Sequence, residues 1–169
     1  MNPDESHIMP HVSLVTLSGL RVVSAPLLEL GMRLPGLRKR AGALSELPAL
    51  GLLTLAGLNP PDWSSSYHDP STCSEELVDQ LVEESPTLVA ISALTPSILE
   101  AYQLADAFRQ RGIKVVLGGL HVTSCPEEAQ RHADAIVIGE GEPVWQELLK
   151  DAEQGELKPV YQADRKSVV

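Results

Sequence analysis

Three short apolar runs, each followed by a stretch of helical periodicity, constrain this chain more than any other feature. Residues 87–91 (TLVAI), 114–117 (KVVL) and 135–138 (AIVI) are near-continuous apolar segments. That is the pattern of strands buried on both faces, and such strands belong to parallel sheets. Between them, Thr95 can cap a helix that has Pro96 in its first turn. Ile98, Ala101, Ala105 and Phe108 recur at helical spacing, and Gly112 closes that helix. A second helix is predicted over 126–131. A third starts at Pro143, carries Val144, Trp145, Leu148 and Leu149, and stops at Gly155.

Upstream, residues 11–18 read as a strand and 48–58 (PALGLLTLAGL) as a largely buried helix. A short strand over 62–67 and a polar-faced helix over 74–83, capped by Ser74, complete the alternation. Strand then helix, through five strands, predicts a doubly wound α/β domain with helices on both faces of a parallel sheet. The expected order is 2-1-3-4-5, in three layers, the flavodoxin-like arrangement. Residues 19–47 form a βα connection far longer than usual. It holds Gly31, Gly36 and Gly42 and a basic cluster at Arg38, Lys39 and Arg40. A solvated patch is the simplest reading of that cluster.

Length and charge exclude several classes. At 169 residues one core suffices without staples. Asp plus Glu is 23 against 13 Lys plus Arg, a net charge of -10. Binding to bare nucleic acid needs the opposite balance, and six aromatic residues make a poor base-stacking platform. No nucleic-acid partner is expected. Cys73 and Cys125 are too few for a disulfide scaffold or a four-cysteine metal site, and neither has a partner at metal-ligand spacing. No metal ligand is therefore expected. No stretch is apolar enough to span a membrane, and MNPDESHIMP lacks the basic and apolar regions of a secretory signal. A cytoplasmic setting with no membrane partner is the expectation.

In a doubly wound sheet, ligands sit beyond the carboxyl ends of the strands. Three junctions there are unusual: Ser92-Ala-Leu94-Thr95, Gly118-Gly119-Leu-His121-Val-Thr123, and Gly139-Glu140-Gly141-Glu142. They place small residues, hydroxyls, an imidazole and carboxylates on one rim. A glycine pair at a strand end lets a ligand lie against the backbone, although tight βα turns also favour glycine. Gly139-x-Gly141 is not a dinucleotide fingerprint, because the third glycine is absent and it follows the last strand. Glu142 precedes Pro143 at a helix start, where an acidic residue suits the dipole. His68 and Asp69 read as loop.

Ser92-x-Leu94 followed 26 positions later by Gly118-Gly119 resembles two of the three parts of the cobalamin-binding motif. The resemblance implies that Ser92 lies beside the dimethylbenzimidazole tail and that the glycines leave a slot for it. The third part, Asp-x-His-x-x-Gly, is missing where residues 47–53 read LPALGLL. That departure implies cobalamin held with its tail base off cobalt and no histidine in its place. The run at 47–53, Ala101-Tyr102, residues 108–112 (FRQRG), residues 118–123 with 126–129 (PEEA), Gly139-Glu-Gly-Glu142 with Trp145, and residues 155–161 together resemble one family. It is the N-terminal cobalamin domain of cobalamin-dependent radical SAM enzymes.

The resemblance implies cofactor contacts from Leu50 and Gly51, from Ser92, Leu94 and Thr95, from Gly118, Gly119, His121 and Thr123, and from Gly139, Glu140 and Gly141. His121 is expected to act by hydrogen bond or packing, not as a cobalt ligand. The domain is expected over 10–155, with 156–169 a linker toward a radical SAM barrel. That barrel would carry Cys-x-x-x-Cys-x-x-Cys, a 4Fe-4S cluster and S-adenosylmethionine, and this chain has no such motif. Radical chemistry would therefore need the barrel in cis or in trans, and the parent activity is expected to be a methyltransferase. The alternatives are a receiver-like or protein-interaction domain of the same topology that binds no corrin, or a flavin carrier. A receiver would need an acidic cluster after strand one and a late lysine. A flavin carrier would need a Ser/Thr-rich phosphate loop, which GLRVVS at 19–24 fits poorly.

Overall fold

In the computed structural model the described residues are 9–17, 49–70 and 73–163. The long connection over 19–47, its glycines and its basic cluster lie outside them.

The apolar runs form the sheet. Strands β1 (His11–Leu17), β2 (Ser64–His68), β3 (Leu88–Ala93), β4 (Val115–Gly118), β5 (Ala135–Ile138) and β6 (Val160–Gln162) pair in the order β2-β1-β3-β4-β5-β6, all parallel. Six strands replace the five expected. The addition is β6, which lies within the segment expected as a linker. Tyr161 is its one buried residue, flanked by exposed Val160 and Gln162. A strand with a single buried position leaves no apolar run to read.

Both faces are covered by helices. One carries α1 (Leu50–Gly57) and α6 (Trp145–Gln154), which bury Leu52, Trp145, Leu148 and Leu149 against Val12, Leu14, Leu88, Ala90, Val116 and Val137. The other carries α2 (Glu75–Glu83) and α3 (Ile98–Gln110). Two short helices, α4 (Leu120–Ser124) and α5 (Pro126–Ala129), cover the same side. Phe108 on α3 is fully buried there, a burial worth roughly 1.5–3 kcal/mol for a side chain of this kind.

Local signals explain the ends. Ser74 accepts a hydrogen bond from the amide of Leu77 and caps α2 as expected. Gly155 adopts the left-handed conformation that ends α6. Four expectations shift. The helix expected to be largely buried over 48–58 is α1, which buries Leu52 and leaves Leu50 and Leu53 exposed. Thr95 does not cap α3: residues Thr95–Ser97 form a 3-10 turn, and Thr95 Oγ1 pairs instead with His121 Nδ1 at 3.2 Å. The last helix begins at Trp145 rather than Pro143, after a turn closed by the Val144 amide on the Gly141 carbonyl. The glycine pair leads directly into α4, where Thr123 and Ser124 hydroxyls bond back to the carbonyls of Gly119 and Leu120.

Candidate functional site

The strand ends converge on a cleft of about 250 Å³ between α1 and α6. Its floor is made of small residues on adjacent strands. Ser92 of β3 is in register with Gly118 of β4, and Ala90 with Val116. Its walls are Leu52 and Leu55 from α1 and Trp145 from α6. Glycines and carboxylates from the β5–α6 turn, Gly139, Glu140, Gly141 and Glu142, complete the mouth.

The two walls are joined. Trp145 Nε1 donates to Asn59 Oδ1 at 2.8 Å, which ties α6 to the turn after α1. Gln146 adds a bond from its amide to the Leu58 carbonyl at 3.4 Å. At the other end of α1, the Ala49 amide donates to the Tyr67 hydroxyl at 2.9 Å, which fixes the helix start to β2.

The glycines differ in what they do. Gly119 has φ 107° and ψ −177°, a region essentially reserved for glycine. A Cβ there would stand 2.8 Å from the Ala93 carbonyl oxygen and 3.2 Å from Ser92 Oγ. Gly119 is thus demanded by the close approach of the β4–α4 turn to β3. Gly118 has no such strain, and a Cβ on it would meet only Val137 Cβ, at 3.8 Å. Gly118 therefore has ordinary contact with Val137 and no clash, so a side chain could be carried there into the cleft that it lines. A Cβ on Gly141 would touch Leu55 at 3.4 Å, so that position narrows the mouth.

Of the residues singled out from sequence, Gly51, Ser92, Gly118, Gly119, Gly139, Glu140 and Gly141 line the cleft. Leu50 and Leu94 stand outside it on the rim, 73% and 40% exposed. Thr95 is exposed and engaged with His121. Thr123 is a brace: its hydroxyl donates to the Gly119 carbonyl and accepts from the Gly139 amide, both at 3.0 Å, linking the two glycine turns. His121 does not line the cleft. Its Nδ1 meets Thr95, and its Nε2 lies 3.7 Å from Glu128 Oε1, among residues on the other face of the sheet. Sequence reasoning missed the walls Leu52, Leu55 and Trp145 and the floor residues Ala90, Val116 and Val137. Each reads as ordinary core, and nothing in their spacing marks a cavity.

Comparison with known proteins gives this geometry a relationship. The family described as B12 binding domain matches residues 40–149. The bacteriochlorophyllide d C-8(2)-methyltransferase of Chlorobaculum tepidum is 41% identical over 114 residues, 67% of this chain and 24% of that protein. The bacteriochlorophyllide d C-12(1)-methyltransferase of the same organism is 34% identical over 125 residues, 73% of this chain and 26% of that protein. The anaerobic magnesium-protoporphyrin IX monomethyl ester cyclase of Rubrivivax gelatinosus is 31% identical over 136 residues, 68% of this chain and 24% of that protein. The chain spans about a quarter of the length of these relatives. With the match covering most of the strands and both walls of the cleft, the chain belongs to the B12-binding domain family.

Proposed function

We propose that this chain binds cobalamin with the nucleotide tail in the cleft between α1 and α6, base-off, and serves as the cofactor module of a radical SAM methyltransferase. The observation that carries the reading is the space above Gly118, floored by Ala90 and Ser92 and walled by Leu52, Leu55 and Trp145. A flat apolar base with a polar edge suits a narrow apolar slot that offers one hydroxyl. Ser92 Oγ supplies that hydroxyl. The backbone of Gly139 and Gly141 allows close approach of the tail at the mouth.

The corrin ring would then lie across the rim, where Leu50, Leu94 and Leu120 are exposed. Among the described residues no histidine lines the cleft. His11 and His68 pair with serines and Glu84, His132 bonds Asp106, and His121 turns to the other face. In this reading the lower cobalt face would take no histidine from these residues. Bound cobalamin would supply the methyl group or the redox chemistry; this chain's residues hold the tail and shield one face from water. The methyltransferase assignment rests on the names of two relatives. The barrel, its cluster and S-adenosylmethionine belong to the same proposal, in cis or in trans.

The test is titration of the purified chain with hydroxocobalamin and methylcobalamin, followed by desalting and a visible spectrum. Retained corrin with a base-off band is the expected result. A base-on band would discard the tail slot, and no retained corrin would overturn the reading.

A further inference from the structure

On the face of the sheet opposite the cleft, α4 and α5 follow each other with one residue between them. His121 and Cys125 stand one turn apart, with the Cys125 amide donating to the His121 carbonyl at 2.8 Å. Glu128 follows on the next turn. One nitrogen of His121, Cys125 Sγ and one oxygen of Glu128 all lie within 4.8 Å of one another. Cys125 is a free, half-buried thiol.

The imidazole is held as a ligand would need it. Thr95 Oγ1 lies 3.2 Å from Nδ1, so a proton on Nδ1 can be donated to that hydroxyl. The lone pair is then left on Nε2, which faces Glu128 at 3.7 Å. Nε2 is buried and has no hydrogen-bond partner. An unsatisfied buried nitrogen is costly, and a structure that keeps one has a reason to be found. The ring itself is fixed, its side chain only 11% exposed and edge-on to Tyr102 with centroids 6.4 Å apart. Cys125 and Glu128 also line a surface hollow that they share with Arg131.

We propose that His121, Cys125 and Glu128 bind one divalent cation of the zinc type, with the fourth coordination position open toward that hollow. An imidazole, a thiolate and a carboxylate form a borderline donor set that suits zinc and disfavours calcium or magnesium. Tetrahedral geometry needs a contraction of about 1 Å from the widest separation here, which an exposed Glu128 side chain can supply. Thr95 acts as the outer partner that fixes the tautomer of His121. The site packs on the other side of the sheet from the cleft, and its test needs no corrin.

The test uses the purified full chain free of corrin. Calorimetric titration with Zn2+ is expected to give one ion per chain. Titration with Co2+ is expected to give a thiolate-to-cobalt charge-transfer band together with tetrahedral visible bands. Cys125→Ser should remove that band and weaken Zn2+ binding by more than about tenfold. On the unmodified chain, Zn2+ should slow alkylation of Cys125 and leave that of Cys73 unchanged, a readout that needs no variant to fold. Binding of Zn2+ with equal affinity by Cys125→Ser would overturn the proposal. So would the absence of stoichiometric binding, or alkylation of Cys125 at the same rate with and without Zn2+.

Discussion

Ser92 of β3 stands directly opposite Gly118 of β4 in the parallel ladder. The 26 positions between them are one complete strand-to-strand crossover through α3. A hydroxyl is thereby placed beside a strand position that has no side chain. That pairing makes the floor of the cleft, and its consequences can be measured.

Gly118→Val should close the slot without unfolding the chain. The backbone there is unstrained, and the first neighbour a Cβ meets is Val137 at 3.8 Å. Overpacking of the bound state costs about 1–3 kcal/mol, which is roughly five- to 150-fold in Kd. Cobalamin retention after desalting should fall while the urea midpoint stays within error of the parent. Unchanged cobalamin affinity would remove Gly118 from the tail slot.

Gly119→Ala should have the reverse signature. The residue is held in a region where L side chains are strained, and the added methyl meets the Ala93 carbonyl. Equilibrium denaturation should show a loss of roughly 1–3 kcal/mol. A fully stable Gly119→Ala chain would mean that the β4–α4 turn can relax away from β3.

Trp145→Phe tests the link between the walls. Trp145 is 1% exposed, and its indole nitrogen donates to Asn59. Removing the donor leaves Asn59 short of a partner, and the smaller ring leaves space. Together these should cost about 2 kcal/mol. Amide exchange in α1 should speed up more than in α3, which lies on the far face of the sheet.

Acid should act on the β1–β2 edge through Glu84. Burial raises the pKa of this carboxyl, but bonds from Ser66 and Ser13 and the charge of His68 outweigh burial and hold it below its ordinary 4.5. A carboxyl depressed in the folded state gives stability that is present above its unfolded pKa and lost as pH falls through the folded one. Glu84→Gln should cost about 1 kcal/mol at pH 7 and flatten the decline of stability below pH 4.5. Parallel acid curves for the two proteins would show that the network contributes nothing pH-dependent.

Alkali should act on β6 through Tyr161. Its hydroxyl donates to Asp151 Oδ2 at 2.8 Å and accepts from the Lys158 amide at 3.0 Å. Burial, with the Asp151 bond and charge adding to it, pushes its pKa from 10.0 up to about 12. A raised folded pKa gives stability that is complete below pH 10 and lost as pH climbs toward 12. Tyr161→Phe should shrink that loss, leaving the share due to Tyr102, which burial and Glu128 also push up to about 12. An alkaline limb of unchanged size would place the sensitivity elsewhere.

Most of the sheet was legible because buried parallel strands announce themselves as apolar runs. Residues 135–138 were read to the residue, and Ser74 and Gly155 mark their helix ends by chemistry that depends on local backbone alone. β6 was not legible, because one buried Tyr161 cannot make a pattern. Nor was α4, whose five residues carry no side-chain cap and whose hydroxyls bond backward. The cleft was half legible. Its glycines and Ser92 sit at strand ends where spacing reveals them. Its walls are apolar residues indistinguishable from core until two helices are seen to stand apart. The direction of His121 was beyond reach for a different reason: a ring can turn to either side of a βα turn, and Thr95 with Glu128 decides which.

The bond from Trp145 to Asn59 has one more consequence. It joins residues 86 positions apart, so the spacing of the two walls is a product of the tertiary fold and of neither helix alone. Under the tail-slot proposal, a bond that holds the two walls together before binding would lower the cost of association.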